Sequence, residues 1–413
     1  MSDCCLPSAS ELTPIEAACD YLLSQARTVT GIERVACEDA LGRVLAEPQS
    51  ATVDVPPRDN SAMDGYAVNT ADLDASGQTR LRVTQRIPAG RAGTLLQRGS
   101  AARIFTGAPV PAGADAVVIQ ERCAQHGEWV SFPGSVEPGA NIRRAGEDLR
   151  HGEQVLAAGV RLRAQHLGLL ASVGIGKLPV YRRLRVATFT SGDELVMPGG
   201  ELGPGQIYNS NRYTFAGLLS GLGCEVIDLG MVPDTFEATC EALRRGAREA
   251  DLVLASGGVS VGEEDHVKPA VEKLGSLKLW RIAVRPGKPL AFGSLDGTPF
   301  IGSPGNPVSL FVTFCLFARP FILRMQGVEE VMPLSVPVPS GFDWPRPDKR
   351  REYVRARLER DPSGRPVLRV YPSRSSGVLS SVAWANGLAV IAEGQTLKAG
   401  DPVEFLPMSE LLG

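Results

Sequence analysis

The chain has 413 residues, 43% hydrophobic and 22% charged, which is apolar material for several packed cores and excludes a largely disordered polymer. Its 43 Lys and Arg against 46 Asp and Glu leave a net charge of −3, so nothing draws the whole chain to nucleic acid or an anionic membrane, and an anionic ligand must meet a local cationic site. No segment approaches the roughly 20 uninterrupted apolar residues of a membrane span; the most apolar run, Leu310 to Leu323, is broken by Arg319 and Pro320.

The opening MSDCCLPSASELTP is polar and lacks the basic start and apolar core of a secretory signal. Eight scattered cysteines form no C-x-x-C pair, and four histidines form no H-E-x-x-H. The expectation is a reduced, cytoplasmic protein without a histidine-based zinc site.

In chain order, Thr13 is placed to cap a first helix, with Pro14 at its first position and Ile15, Ala18, Leu22 and Leu23 as its apolar stripe. Between 51 and 145 short apolar runs, such as Leu81–Val83, Ala102–Phe105 and Ala116–Gln120, alternate with Gly and Pro turns and predict a small all-β unit. RLRAQHLGLLASVGIG predicts a short helix ending in glycines.

From 184 onward the period changes. Leu184–Phe189, Val226–Leu229, Leu252–Ala255, Lys278–Val284 and Phe300–Ile301 read as buried strands. Helical stretches separate them: one after Asn209-Ser210-Asn211, one opened by a D-x-x-E capping box at Asp234, one opened by Asn306 and Pro307. This alternation predicts a doubly wound, mostly parallel sheet. Past Met332 the helix signals stop, and EYVRARLER and RPVLRVYP around Asp361-Pro362-Ser363-Gly364 predict a hairpin in a separate β unit.

Ligands of open α/β sheets bind beyond the carboxyl ends of strands, and three loops fall there. Thr190-Ser191-Gly192-Asp193-Glu194 offers small groups to an anion and two carboxylates to a hard cation, or is a solvated turn. Ser256-Gly257-Gly258-Val259-Ser260-Val261-Gly262, followed by Glu263, Glu264 and Asp265, offers backbone N–H groups to a phosphate but matches no standard nucleotide fingerprint. Gly302-Ser303-Pro304-Gly305-Asn306-Pro307 makes a stiff wall suited to a ring, or is plain turn chemistry. Nearby, Arg285 and Lys288 of RPGKP are cations on a proline-stiffened turn, the kind of group that meets oxyanions. The β unit carries loops of its own around Asp64, Thr106 and Arg143 to Asp148.

DNSAMDGYA, RIFTGAPVPAGADAVV, NIRRAGEDL, TSGDEL, SGGVSVGEEDH, RPGKP and SPGNPVS stand in this order along the chain. In these motifs the sequence resembles the molybdopterin molybdenumtransferases, the MoeA-type proteins and the E domain of gephyrin, over essentially its whole length. The resemblance implies an enzyme that takes adenylylated molybdopterin and molybdate, releases AMP and leaves molybdenum on the pterin dithiolene. It implies a homodimer, other molybdenum cofactor biosynthesis proteins as partners, and an active cleft between the α/β block of one subunit and the β unit of the other. The implied architecture is an elongated N-terminal segment (1–50 and 146–180), an inserted β domain (51–145), an α/β domain of molybdopterin-binding type (181–329) and a barrel-like C-terminal β domain (330–413).

Residue by residue, the resemblance makes Asp64, Thr106, Glu194, Asp234 and Asp265 the functional polar positions. Arg285 and Lys288 become cations facing phosphate or molybdate, Pro304 and Pro307 the pocket wall, and Arg143, Arg144 and Asp148 supports of the cleft. Glu194, Asp234 and Asp265 would hold Mg²⁺ and position the adenylate. Two departures stand out: TSGDEL where STGDEL is common, and Arg285 where Lys is frequent, which replaces a compact ammonium by a planar fork. The rival readings are a molybdopterin adenylyltransferase, which would need only the α/β block, and a non-catalytic scaffold like gephyrin.

Overall fold

The computed structural model describes residues 12–258 and 265–412. Its centre is the alternating block. In chain order this runs β1 (Arg185–Ser191), α1 (Asn211–Gly221), β2 (Glu225–Val232), α2 (Phe236–Glu249), β3 (Leu252–Ser256), α3 (Val267–Leu274), β4 (Gly275–Arg281), β5 (Pro289–Leu295) and β6 (Thr298–Ser303). The spatial order is β2-β1-β3-β6-β5-β4. β2, β1, β3 and β6 are parallel, whereas β5 and β4 run antiparallel at one edge. The sheet is therefore mixed. Every residue of β3 and all but the first of β1 are buried, as expected of strands covered on both faces.

Helix α1 covers one face through Phe215 and Leu219. α2 and α3 cover the other through Cys240, Leu243, Val267 and Ala270. The expected run Lys278–Val284 divides in the structure. β4 ends at Arg281, and Val284–Arg285 leaves the sheet to pair with the C-terminal unit. β5 was not anticipated, because Pro289 and Gly293 weaken a strand pattern.

After β6, one apolar helix runs from Pro307 to Met325. It is long and apolar enough to cross a membrane by composition, yet 94% of it is buried inside the protein. It is the central core helix, with Leu310, Phe314, Phe317 and Phe321 inside. Pro307 occupies its first turn as expected, but Asn306 makes no side-chain capping bond. A π turn at Phe314–Ala318 precedes Pro320, which has no N–H to continue the α pattern.

The helix Ile15–Gln25 packs Ile15, Ala18, Cys19 and Leu22 into the same core. Thr13 does not cap it. Its backbone is engaged elsewhere, donating to Arg281 O and accepting from Ala283 N, each at 2.8 Å. Strand Ile32–Ala36 then pairs with Lys177–Tyr181, and Leu45, Leu162, Leu170 and Val180 fill a small core between them. From this layer the chain enters a six-stranded sheet in the order Ala116–Ile119, Gly65–Val68, Ser100–Ile104, Gln78–Ile87, Trp129–Pro133, Ala124–His126.

The C-terminal sheet is ordered Val284–Arg285, Arg351–Arg360, Gly387–Ile391, Pro402–Pro407, Val336–Pro339. Pro366–Val370 pairs with Arg351–Arg360 across the expected hairpin, and a bridge from Ser340 to Leu368 closes the barrel. Asp361 fixes the turn by accepting from the N–H groups of Ser363 and Arg365.

Candidate active site

Parallel register sets Thr190, Ser256 and Ser303 side by side at the carboxyl ends of β1, β3 and β6. The chain leaves β1 toward β2 on one side and returns to β3 on the other. This is the switch point where doubly wound sheets open a crevice. A cleft of about 600 Å³ lies there. Ser191, Gly192 and Glu194, Ser256 to Gly258, Asp234, Asp265, and Gly305 to Pro307 line it, joined by Gly377 and Leu379 of the C-terminal barrel. The three expected loops thus converge. Ser260 and Gly262, with Glu263 and Glu264, lie outside the described residues.

Backbone geometry fits the loop after β3 to close approach. Gly257 has φ +91°, and a Cβ there would stand 2.4 Å from Ser191 O. Gly258 has φ +66° and is pressed against the Val267 side chain. Only glycine meets both demands.

Asp234 is not the helix cap. Thr235 caps α2, its hydroxyl accepting from Ala238 N at 3.3 Å. The Asp234 carboxylate instead accepts the Ser191 hydroxyl at Oδ1 and the Asp193 N–H at Oδ2, 3.2 Å away. Both oxygens are committed to shaping the first loop.

Two asparagines that in sequence only precede a helical stretch are site residues. Buried Asn209 donates to Thr190 Oγ1 at 2.7 Å. Asn211 lines the cleft and donates to Ser256 Oγ at 2.8 Å and Gly305 O at 2.7 Å, tying the second and third loops together. The signal available was weak: both lie around the start of a helix, where Asn is ordinary.

Glu194, Asp234 and Asp265 share the cleft, yet among the described residues no three acidic, His or Cys side chains come close enough to hold one ion. The protein does not build the expected three-carboxylate cage there. Hard oxygen donors of this kind would suit Mg²⁺ held by one or two carboxylates together with substrate phosphates.

The Arg285 guanidinium does not line the cleft. It meets Asp348 at 3.1 Å and Glu352 at 3.7 Å, both in the C-terminal barrel. Lys288 has no ion-pair partner among the described residues and also stands outside the cleft lining. Pro304 stands behind the wall, where its carbonyl accepts from Ser256 Oγ at 3.5 Å. Arg374 pairs with Glu352 and stacks on Trp344.

Asp64 and Thr106 sit at the tip of the β unit. Asp64 Oδ1 accepts the Thr106 N–H and the Thr106 hydroxyl, each at 2.8 Å. Those bonds, the backbone one first, hold the carboxyl below the ordinary range. Arg103, quoted in its motif but assigned no role from sequence, braces this tip. It donates to Gly65 O at 2.8 Å and Gln120 Oε1 at 2.6 Å and stacks 4.5 Å from the Phe105 ring centroid. Arg143 is exposed on a two-residue strand paired with Asn60–Ser61. Asp148 ties its backbone N–H to Val55 O. Arg144 is occupied by Asp59 at 2.6 Å. None of Asp64, Thr106, Arg143 and Asp148 lines the cleft of its own chain.

The MoeA N-terminal region (domain I and II) matches residues 13–174, a probable molybdopterin binding domain residues 187–324, and the MoeA C-terminal region (domain IV) residues 337–408. The molybdopterin molybdenumtransferase of Haemophilus influenzae is 38% identical over 97% of this chain and 99% of its own. That of a Nostoc species is 39% identical over 89% and 87%. The chain belongs to the molybdopterin molybdenumtransferase family. A solved structure of the molybdopterin biosynthesis MoeA protein from Pyrococcus horikoshii superposes with a TM-score of 0.84 at 30% identity, covering 96% of this chain and 100% of that one. The molybdopterin-binding match spans the cleft sheet from its third residue onward and most of the core helix. The N-terminal match takes in both the helix Ile15–Gln25 and the β unit that carries Asp64.

Proposed function

We propose that this molybdenumtransferase acts on adenylylated molybdopterin and molybdate, releasing AMP and leaving molybdenum on the dithiolene. The observation that carries the reading is the convergence of the Ser191, Ser256 and Gly305 loops on one cleft at the switch point of a molybdopterin-binding sheet. A glycine-rich loop at a strand end suits the phosphates of a pterin nucleotide, and Asn211 Oδ1, without a hydrogen-bond partner among the described residues, suits an N–H donor on its ring edge.

Within the cleft Gly257 and Gly258 let the backbone approach the ligand closely, while Asp234 keeps the Ser191 loop in shape. Mg²⁺ held by one or two carboxylates among Glu194, Asp234 and Asp265, all in the cleft wall, would neutralise charge on the pyrophosphate oxygens. Asp64 stays ionised at neutral pH because Thr106 stabilises its charged form. It acts from a second subunit in this reading, so the working form is a homodimer. The six described cysteines are free thiols, which supports a reducing, cytoplasmic setting among other cofactor-biosynthesis proteins.

The test is turnover by the purified protein. AMP release from adenylylated molybdopterin should require molybdate and Mg²⁺. Adenylylation of free molybdopterin by ATP, without that release, would replace this reading by an adenylyltransferase. Binding without either reaction would leave a scaffold.

A further inference from the structure

The C-terminal barrel reaches the cleft through one loop, which follows the strand Pro366–Val370 and carries Gly377 and Leu379 into the wall. This loop is moored on both sides. Ser376 O accepts the Val308 N–H at 3.0 Å, satisfying an amide at the start of the core helix. Arg374 lies 4.4 Å from the Trp344 ring centroid and donates through Nη2 to Glu352 Oε2. Glu352 also meets Arg285 Nε at 3.7 Å. One carboxylate thus gathers an arginine of the α/β unit and an arginine of the wall loop.

Glu352 is 3% exposed, and its Oε1 is buried with no hydrogen-bond partner among the described residues. A carboxylate this deep is costly unless its pairing serves a purpose beyond filling space. Arg285 retains Asp348 if Glu352 is lost, whereas Arg374 has no second acidic partner among the described residues. Arg355 also holds this loop at Ser373 O (2.8 Å) and Ser375 O (3.2 Å), so Glu352 is one of its moorings and the one that fixes Arg374.

We infer that Glu352 is a positioning residue for the transfer reaction: by pairing with Arg374 it fixes Gly377 and Leu379 in the wall that holds the pterin nucleotide. The inference rests on the proposed reading of the cleft. It gives the C-terminal barrel a part in substrate binding without contact between Glu352 and the substrate.

The test compares full-length wild type, Glu352→Gln, Leu379→Ala and their double variant by AMP release at varied adenylylated molybdopterin. Glu352→Gln keeps the shape and loses the charge. It should raise KM roughly tenfold while kcat stays within about twofold. The double variant should do no worse than the stronger single, because both act on one wall. Arg374→Gln, at a less buried position, should give the same KM shift and serves if Glu352→Gln melts early. Wild-type KM in a folded Glu352→Gln or Arg374→Gln, or effects that multiply in the double, overturns the positioning role. A wild-type enzyme that releases no AMP would instead overturn the reading of the cleft.

Discussion

Ser191 donates its hydroxyl proton to Asp234, a residue 43 positions away on the loop after the neighbouring strand. With the Asp193 N–H on the other oxygen, this single carboxylate clasps the carboxyl ends of β1 and β2. Asn at 234 can accept only one of the two bonds and turns a donor toward the other. Asp234→Asn should therefore lower unfolding stability by about 1–2 kcal/mol and raise KM for the pterin nucleotide. Urea titration with steady-state kinetics checks this. An unchanged urea midpoint would mean that the carboxylate is not structural and is available to a ligand.

Thr106 offers two donors to Asp64, so the pair predicts a pH effect with a definite sign. Both bonds stabilise the carboxylate, so its folded pKa lies below the ordinary value. Thr106→Val removes the hydroxyl donor and leaves the N–H. The Asp64 pKa should rise, and the acidic limb of the pH–rate profile should move to higher pH. A carboxyl-carbon NMR titration of Asp64 reads the shift directly. A profile that keeps its acidic limb while falling uniformly would assign Thr106 to substrate contact instead.

What was readable in the sequence is what is written locally. Glycine and hydroxyl loops after apolar runs marked the strand ends, and Asn306-Pro307 marked the start of the core helix, because period and turn chemistry act over a few residues. The partners of those loops were not readable. Arg285 looked like a ligand cation because its flanking prolines say nothing of Asp348, which folds against it from the barrel. Asp234 fitted a capping box until Thr235 took that bond and left the carboxylate to Ser191. Gly377 and Leu379 carry no motif at all. They enter the cleft because Arg374 and Ser376 are anchored by residues far away in the chain.

Gly257 tests the close approach of β1 and β3. Its φ of +91° is strained for any other residue, and a Cβ would meet Ser191 O at 2.4 Å. That obstacle is backbone and cannot swing aside. Gly257→Ala should cost about 1–3 kcal/mol and open the gap between the two loops. Substrate affinity should fall with it. Thermal melts and ligand-binding titrations check both effects; a variant as stable as wild type would show that the loop has another conformation within reach.

Arg182 and Asp251 join the amino ends of β1 and β3, at the opposite edge of the sheet from the cleft, and so separate stability from chemistry. The guanidinium grips both carboxylate oxygens at 2.6 and 2.7 Å, and the Arg185 N–H adds a third bond at 2.8 Å. Burial pushes the Asp251 pKa up, but the bonds from Arg182 and Arg185 outweigh it and leave the carboxyl below its ordinary value. A depressed carboxylate pKa adds stability that is complete above the unfolded-state value and disappears as pH falls through the folded-state value. The Arg182 side chain is 34% exposed and that of Asp251 20%, so after solvent screening Asp251→Asn should cost about 1 kcal/mol at neutral pH. The gap between variant and wild type should stay constant from neutrality to about pH 5 and narrow below about pH 4. Molybdenum transfer at neutral pH should stay within about twofold of wild type, since nothing in the cleft touches the pair. Urea unfolding across this pH range checks the window, and a gap that narrowed above pH 5 would mean that some other group carries the dependence.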